Sequence, residues 1–294
     1  MFASAISLLL FVHGSLAGQS PQDMRAVNRV DCPGRTVLPM LDGPGQAPLI
    51  ELEIAGKKYK FALDTGSGSG GRVPEEIVSR LHLDVIGIAR AGDPSGRNSR
   101  DIKLYRIPEV KAGGATLNGL RVMAESDAGP NRSPSGFDGI IGATAFEGLL
   151  LTLDYPHRQV ILDPRGMTRD EISRSLPYGL EHGLPILTIT IGQVKVDGHV
   201  DSGSDGGLSI PAKFKDQLHL DGEPRIVGHL RTLFNETAIY SAKVKDPVAI
   251  GGMKLPIDQI EMHDLFPFGN IGGQVLRRYR ITFDQKLKRI LFET

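Results

Sequence analysis

A single cysteine, Cys32, is all the sulfhydryl this chain has, so no disulfide can form within it and the fold must be held by its cores alone. The residues before it, Arg29-Val30-Asp31, are not the small apolar ones that precede a lipid-modified cysteine, and Cys32 reads as a bystander. A surplus of either charge is also missing, since 34 Lys+Arg balance 34 Asp+Glu. With no basic run either, nucleic acid and an anionic membrane are not expected as partners. Long apolar runs are lacking too. The stretch from Ala5 to Val12 is too short to span a bilayer, and nothing else approaches the ~20 apolar residues that a spanning helix needs. No stable membrane anchor is expected.

The apolar stretch is followed by Ser15-Leu16-Ala17, the small-x-small pattern of a cleavage site. Residues 1–17 therefore read as a signal peptide, although its start lacks Lys and Arg, and export to a periplasmic or extracellular space is expected. The chain as a whole is 40% hydrophobic and 23% charged, the balance of a soluble globular protein with a real core.

The chain is written twice. Ile50, Leu52 and Ile54 alternate as one face of a strand, and Leu187, Ile189 and Ile191 do so 137 positions later. A short turn and a second alternating run follow in both copies, which is the pattern of a β-hairpin. The second run ends on Asp64 in one copy and on Asp201 in the other. From there DTGSGSGGRVPEEIVSRLHLD (64–84) aligns without a gap on DSGSDGGLSIPAKFKDQLHLD (201–221), with 9 of 21 positions identical. Further on, residues 137–162 pair with 269–292 at an offset of 130, matching Gly142 with Gly272 and Asp154 with Asp284. The expected organisation is a signal peptide (1–17), an arm or pro-segment (18–48), a first lobe (49–163), a linker (164–184) and a second lobe (185–294). Both lobes are expected to be all-β with few short helices.

The first loop can be spelled in two ways. Gly66, Gly68 and Gly71 satisfy G-x-G-x-x-G after a strand, as in a dinucleotide-binding turn. The second copy rejects that spelling, because Asp205 replaces Gly68 and Leu208 replaces Gly71. What survives duplication is acid, hydroxyl, glycine, serine. The expected hairpins also lack the helices of a parallel βαβ unit. A calcium loop at Asp201 and Asp205 fails as well, since Gly203 takes a ligand position and Ala212 stands where the closing Glu belongs. No cofactor and no metal are expected.

With Asp64-Thr65-Gly66-Ser67 and Asp201-Ser202-Gly203-Ser204 at matched positions, the chain resembles the aspartic peptidases, in a bilobal pepsin-like or fused retropepsin-like form. Ile140-Ile141-Gly142 and Asn270-Ile271-Gly272 resemble that family's hydrophobic-hydrophobic-Gly segments, and residues 273–292 its closing strands. The resemblance implies two acid-protease lobes related by a pseudo-two-fold axis. It implies a catalytic pair, Asp64 and Asp201, acting on a peptide or protein substrate in a cleft between the lobes. Two carboxyl groups that close share one proton, because both cannot ionise together. By the same resemblance Thr65 and Ser202 bond across the lobe interface, and Ser67 and Ser204 bond the outer oxygens of the aspartates. Gly66 and Gly203 permit the tight turn and close approach. Two full loops in one chain make a monomer the expected state. The competing expectation is a catalytically silent relative that binds peptide or protein in the same cleft.

Residues 91–105, with Tyr105, and residues 228–237 are the expected flap regions, one from each lobe. His82 and His219, matched in Leu-His-Leu-Asp, read as favourable charges near helix ends. Asp154 and Asp284 read as shapers of hairpin turns, and Asn131 and Asn235 begin glycosylation sequons.

Overall fold

The computed structural model describes residues 11–13, 25–92, 99–125, 136–181, 183–231 and 236–294. Residues 1–10 and 14–24, which include most of the expected signal peptide and the start of the expected arm, lie outside this set, as do Asn131, Asn235 and the centres of both expected flaps. The fold is the all-β aspartic protease fold, built of two similar lobes and a shared sheet.

Each lobe begins with the hairpin that its alternating residues demand. In the first, Leu49–Ile54 pairs antiparallel with Lys57–Asp64, and in the second, Leu184–Ile191 pairs with Val194–Val200. The inward faces are Ile50, Leu52, Ile54, Phe61 and Leu63 in one lobe and Leu187, Ile189, Ile191, Val196 and Val200 in the other. All are buried, because a strand sends alternate side chains to one face. In the first lobe Gly139–Gly142 lies parallel to Lys57–Asp64 and antiparallel to Gly71–Pro74. The strand Ala115–Glu125 then pairs with both Gly71–Pro74 and Ser99–Ala112, and Ser99–Ala112 returns to Leu49–Ile54, closing the barrel. In the second lobe Gly269–Ile271 repeats the threading, parallel to Val194–Val200 and antiparallel to Leu208–Pro211.

The shared sheet has six strands, and its centre is the antiparallel pair Leu150–Asp154 and Arg280–Asp284. Its register is self-complementary at the repeat offset: Leu150 faces Asp284 and Asp154 faces Arg280, with Thr152 opposite Thr282 at the midpoint. The pairs 150/284 and 154/280 therefore exchange under the repeat, the mark of a local two-fold axis. The two outer edges are Thr36–Pro39 on one side and Leu176–Pro177 on the other. These short strands come from the segments read as arm and linker. They hold equivalent edges although their sequences show no repeat, because an edge strand is specified mainly by backbone pairing. The linker also holds a helix, Arg169–Arg174, started by a capping box in which Thr168 and Glu171 satisfy each other's backbone N–H.

One further hairpin projects from each lobe, Val85–Gly92 with Ser99–Ala112 and Arg225–Arg231 with Glu236–Lys243, each with a register shift. These are the expected flap regions. Tyr105 does not project with its hairpin; it is buried in the core of the first lobe. Asp154 and Asp284 do shape turns, their Oδ1 atoms accepting from His157 N–H (3.2 Å) and Leu287 N–H (2.9 Å). His82 ends its helix with φ of 49°, while His219 faces Asp246 at 2.9 Å.

Candidate active site

The strands ending at Asp64 and Val200 deliver the two acid loops to one place. Within each loop the serine N–H returns to the aspartate carbonyl, Ser67 to Asp64 at 3.2 Å and Ser204 to Asp201 at 3.4 Å. The glycine N–H donates to the aspartate side chain, Gly66 to Asp64 Oδ1 at 2.8 Å and Gly203 to Asp201 Oδ1 at 3.0 Å. Beneath the loops pass the Gly142 and Gly272 strands. A Cβ on Gly142 would lie 2.1 Å from Ser69 O and one on Gly272 would lie 2.5 Å from Gly206 O, so only glycine lets the backbones approach this closely.

The two loops lock onto each other through four reciprocal bonds. Thr65 N–H donates to Ser202 Oγ (2.9 Å) and Ser202 N–H to Thr65 Oγ1 (3.0 Å). Each hydroxyl then donates across the interface, Thr65 to Val200 O (2.7 Å) and Ser202 to Leu63 O (2.8 Å). Thr65, Ser202, Leu63 and Val200 are all buried, and burial fixes such a network tightly because water cannot replace a lost partner.

Asp64 and Asp201 are thereby brought close enough that each acts on the other's titration. Each loop glycine lies against the opposite acid: a Cβ on Gly66 would fall 2.5 Å from Asp201 Oδ1, and one on Gly203 would fall 2.4 Å from Asp64 Cγ. Both side chains are buried, at 5% and 2% exposure, so their charges are barely screened by water. Their titrations are driven apart. Burial and the facing Asp201 push Asp64 well above the ordinary carboxylate range, against the pull of Gly66 N–H and the Arg72 charge. Burial alone would raise Asp201 too, but the His199 ring and charge, with the Asn270 amide, hold it below that range.

The two serines differ from what the resemblance implies. Ser67 Oγ lies 3.0 Å from Ser69 Oγ, and Ser204 Oγ accepts from Gly206 N–H at 3.2 Å; neither reaches an aspartate. In the second lobe the outer oxygen is taken instead by Asn270, whose Nδ2 donates to Asp201 Oδ2 at 2.8 Å. Asp205, which replaced a loop glycine, accepts from Gln46 N–H of the N-terminal arm.

Sequence reasoning missed His199 and Tyr155, and it read Asn270 only as part of a hydrophobic-hydrophobic-Gly segment. The Tyr155 hydroxyl has no hydrogen-bond partner among the described residues, and both aspartate charges, together with burial, push it upward. Placing the repeats side by side would have exposed the other two, since His199 stands at the position of Ala62 and Asn270 at that of Ile140. Among the described residues no group of three or more His, Cys, Asp and Glu side chains is placed to hold a metal ion. No described helix is long and apolar enough to cross a membrane.

Residues 50–145 match the family described as aspartyl protease, a stretch that contains the Asp64 loop and ends short of the Asp201 loop. No curated protein matches the chain. The family match supports an aspartic peptidase, and hence a hydrolase that cleaves peptide bonds.

Proposed function

We propose that this chain is an aspartic endopeptidase whose catalytic pair is Asp64 and Asp201, working in a cleft between its two lobes. The observation that carries the reading is the close approach of two buried carboxyl groups supplied by duplicated loops, each loop glycine lying against the opposite acid. Such a pair retains one proton over a wide pH range and so offers an acid and a base to the same bond.

In the reaction the ionised member takes a proton from a bound water while the water oxygen adds to the peptide carbonyl carbon. The protonated member gives its proton to the carbonyl oxygen, yielding a neutral gem-diol. The first member then passes its new proton to the leaving nitrogen as the C–N bond breaks, and the second recovers a proton from the gem-diol. Atoms and charge balance, and no covalent bond to the enzyme forms. The rigid four-bond lock between Thr65 and Ser202 holds the two loops that carry the carboxyl groups against each other. The apolar stretch ahead of Ser15-Leu16-Ala17 supports export, and the presence of both loops in one chain supports a monomer.

The test is hydrolysis of a peptide library by the parent chain and by Asp64→Asn and Asp201→Asn. Each variant is expected to lose at least about 10²–10⁴-fold in kcat/KM, the usual contribution of a general acid or base. Undiminished cleavage by both variants would sink the assignment. Tight peptide binding without cleavage by any of the three would instead favour a silent binding protein.

A further inference from the structure

The two lobes differ at one adjacent pair of positions on the strands behind the aspartates. In the first lobe Ala62 and Ile140 are neighbours in register on the parallel strands behind Asp64. In the second lobe the same two positions are His199 and Asn270, again neighbours in register. An apolar pair has become a polar one, and both new side chains are buried, at 0% and 5% exposure. Burying an imidazole and an amide is unfavourable unless they find partners, so their targets matter.

Both aim at Asp201. Asn270 Nδ2 donates to Asp201 Oδ2 at 2.8 Å. His199 Nε2 stands 3.4 Å from the same oxygen, within ion-pair distance but outside hydrogen-bond geometry, and has no hydrogen-bond partner among the described residues. The other ring nitrogen, Nδ1, faces the Gly269 carbonyl at 3.2 Å, and a carbonyl can only accept, so Nδ1 carries a proton. With Oδ1 accepting from Gly203 N–H, both oxygens of Asp201 are engaged as acceptors. Asp64 accepts from Gly66 N–H on Oδ1, and its neighbours at Ala62 and Ile140 can donate nothing from their side chains.

We propose that His199 and Asn270 are positioning residues that break the symmetry of the aspartate pair, keeping the negative charge on Asp201 and the shared proton on Asp64. Asp201 is then the base that deprotonates water and Asp64 the acid that protonates the carbonyl oxygen. This rests on the peptidase reading for its catalytic meaning, although the placement of the proton does not. Other charges also act here: that of Arg72 pulls Asp64 down, and both acids push the Tyr155 phenol up. On the far side of His199 lies the edge of Phe268, stacked on Phe266, which in turn contacts His263. The opposite displacement of the two acids, Asp64 upward and Asp201 downward, agrees with this placement.

Two measurements on the full chain test it. Carboxyl carbon NMR of the parent protein, labelled at aspartate, is expected to show the pair ionising in two steps, the first at Asp201. In His199→Ala, which installs the first lobe's residue, the Asp201 step is expected to move toward neutral pH by about one pH unit or more, as when an opposite charge is lost. Asn270→Ile is expected to move it the same way. The acid limb of the kcat/KM profile is expected to follow. If Asp64 ionises first in the parent, the proposal is overturned without recourse to any variant. If the parent cleaves peptides but His199→Ala leaves the acid limb in place, the proposal fails while the peptidase reading stands. If the ionisation order holds but no peptide is cleaved at any pH, the peptidase reading fails and the proton placement stands.

Discussion

Thr152 and Thr282 join the two halves of the molecule through their hydroxyl groups, which lie 2.9 Å apart at the centre of the shared sheet. Each is the other's repeat counterpart, and each is 4% exposed. The contact shows that the symmetry which unites the acid loops runs on through the sheet carrying both lobes.

Thr152→Val should leave the Thr282 hydroxyl buried with its partner gone, destabilising the protein by about 1–3 kcal/mol. The double variant Thr152→Val/Thr282→Val removes both polar groups and is expected to be the milder change. Urea unfolding of the parent, the two single variants and the double variant measures the coupling between the sites. Additive effects would show that the bond contributes nothing.

The lock between the loops predicts a stability loss at Ser202. Ser202→Ala removes the acceptor for Thr65 N–H and the donor to Leu63 O, both at fully buried positions. A loss of about 1–3 kcal/mol is expected from the unsatisfied groups. Equilibrium denaturation reads it, and an unchanged unfolding midpoint would contradict the lock.

Gly203→Ala is expected to act on chemistry more than on folding. The new Cβ would lie 2.4 Å from Asp64 Cγ, so the acids have to separate. Loss of their alignment should lower kcat/KM by about 10²-fold, as small misplacements at reacting groups do. Circular dichroism should remain native. A variant as active as the parent would mean the two acids need not lie this close.

His263 makes stability sensitive to acid. Burial pushes the imidazole down to about 4 from the ordinary 6.5, against the opposing pull of Asp264. The geometry explains the preference for the neutral ring: Nδ1 accepts from Leu265 N–H at 3.4 Å, leaving Nε2 to donate to Ser209 Oγ at 3.2 Å. Because the folded value is depressed, the unfolded chain binds the proton first as pH falls. Stability from this group is therefore intact above pH 6.5 and declines as pH drops from 6.5 toward about 4. Unfolding free energy measured across this range should fall less steeply in His263→Met, whatever its baseline. Parallel curves for the two proteins would rule out His263 as the source.

Much of this architecture is legible in the sequence itself. Alternating residues such as Ile50, Leu52 and Ile54 dictate strands, because one face of each must be buried. The duplication of the acid-hydroxyl-glycine-serine loop dictates two similar lobes. Together they mark Asp64, Thr65, Gly66, Asp201, Ser202 and Gly203 as the residues that meet. The edge strands Thr36–Pro39 and Leu176–Pro177 are hidden from such a reading because backbone pairing, which hardly depends on side chains, is most of what defines them. The destination of the Ser67 and Ser204 hydroxyls is also out of its reach, since a hydroxyl takes whichever partner the folded loop brings nearest. Which aspartate sits in a polar setting is decided only by tertiary structure. Nothing in a linear chain says that His199 and Asn270, 71 residues apart in sequence, lie side by side behind one carboxyl group. That depends on the parallel register of two short strands, and electrostatics between buried groups acts through distance in space, whatever their separation along the chain.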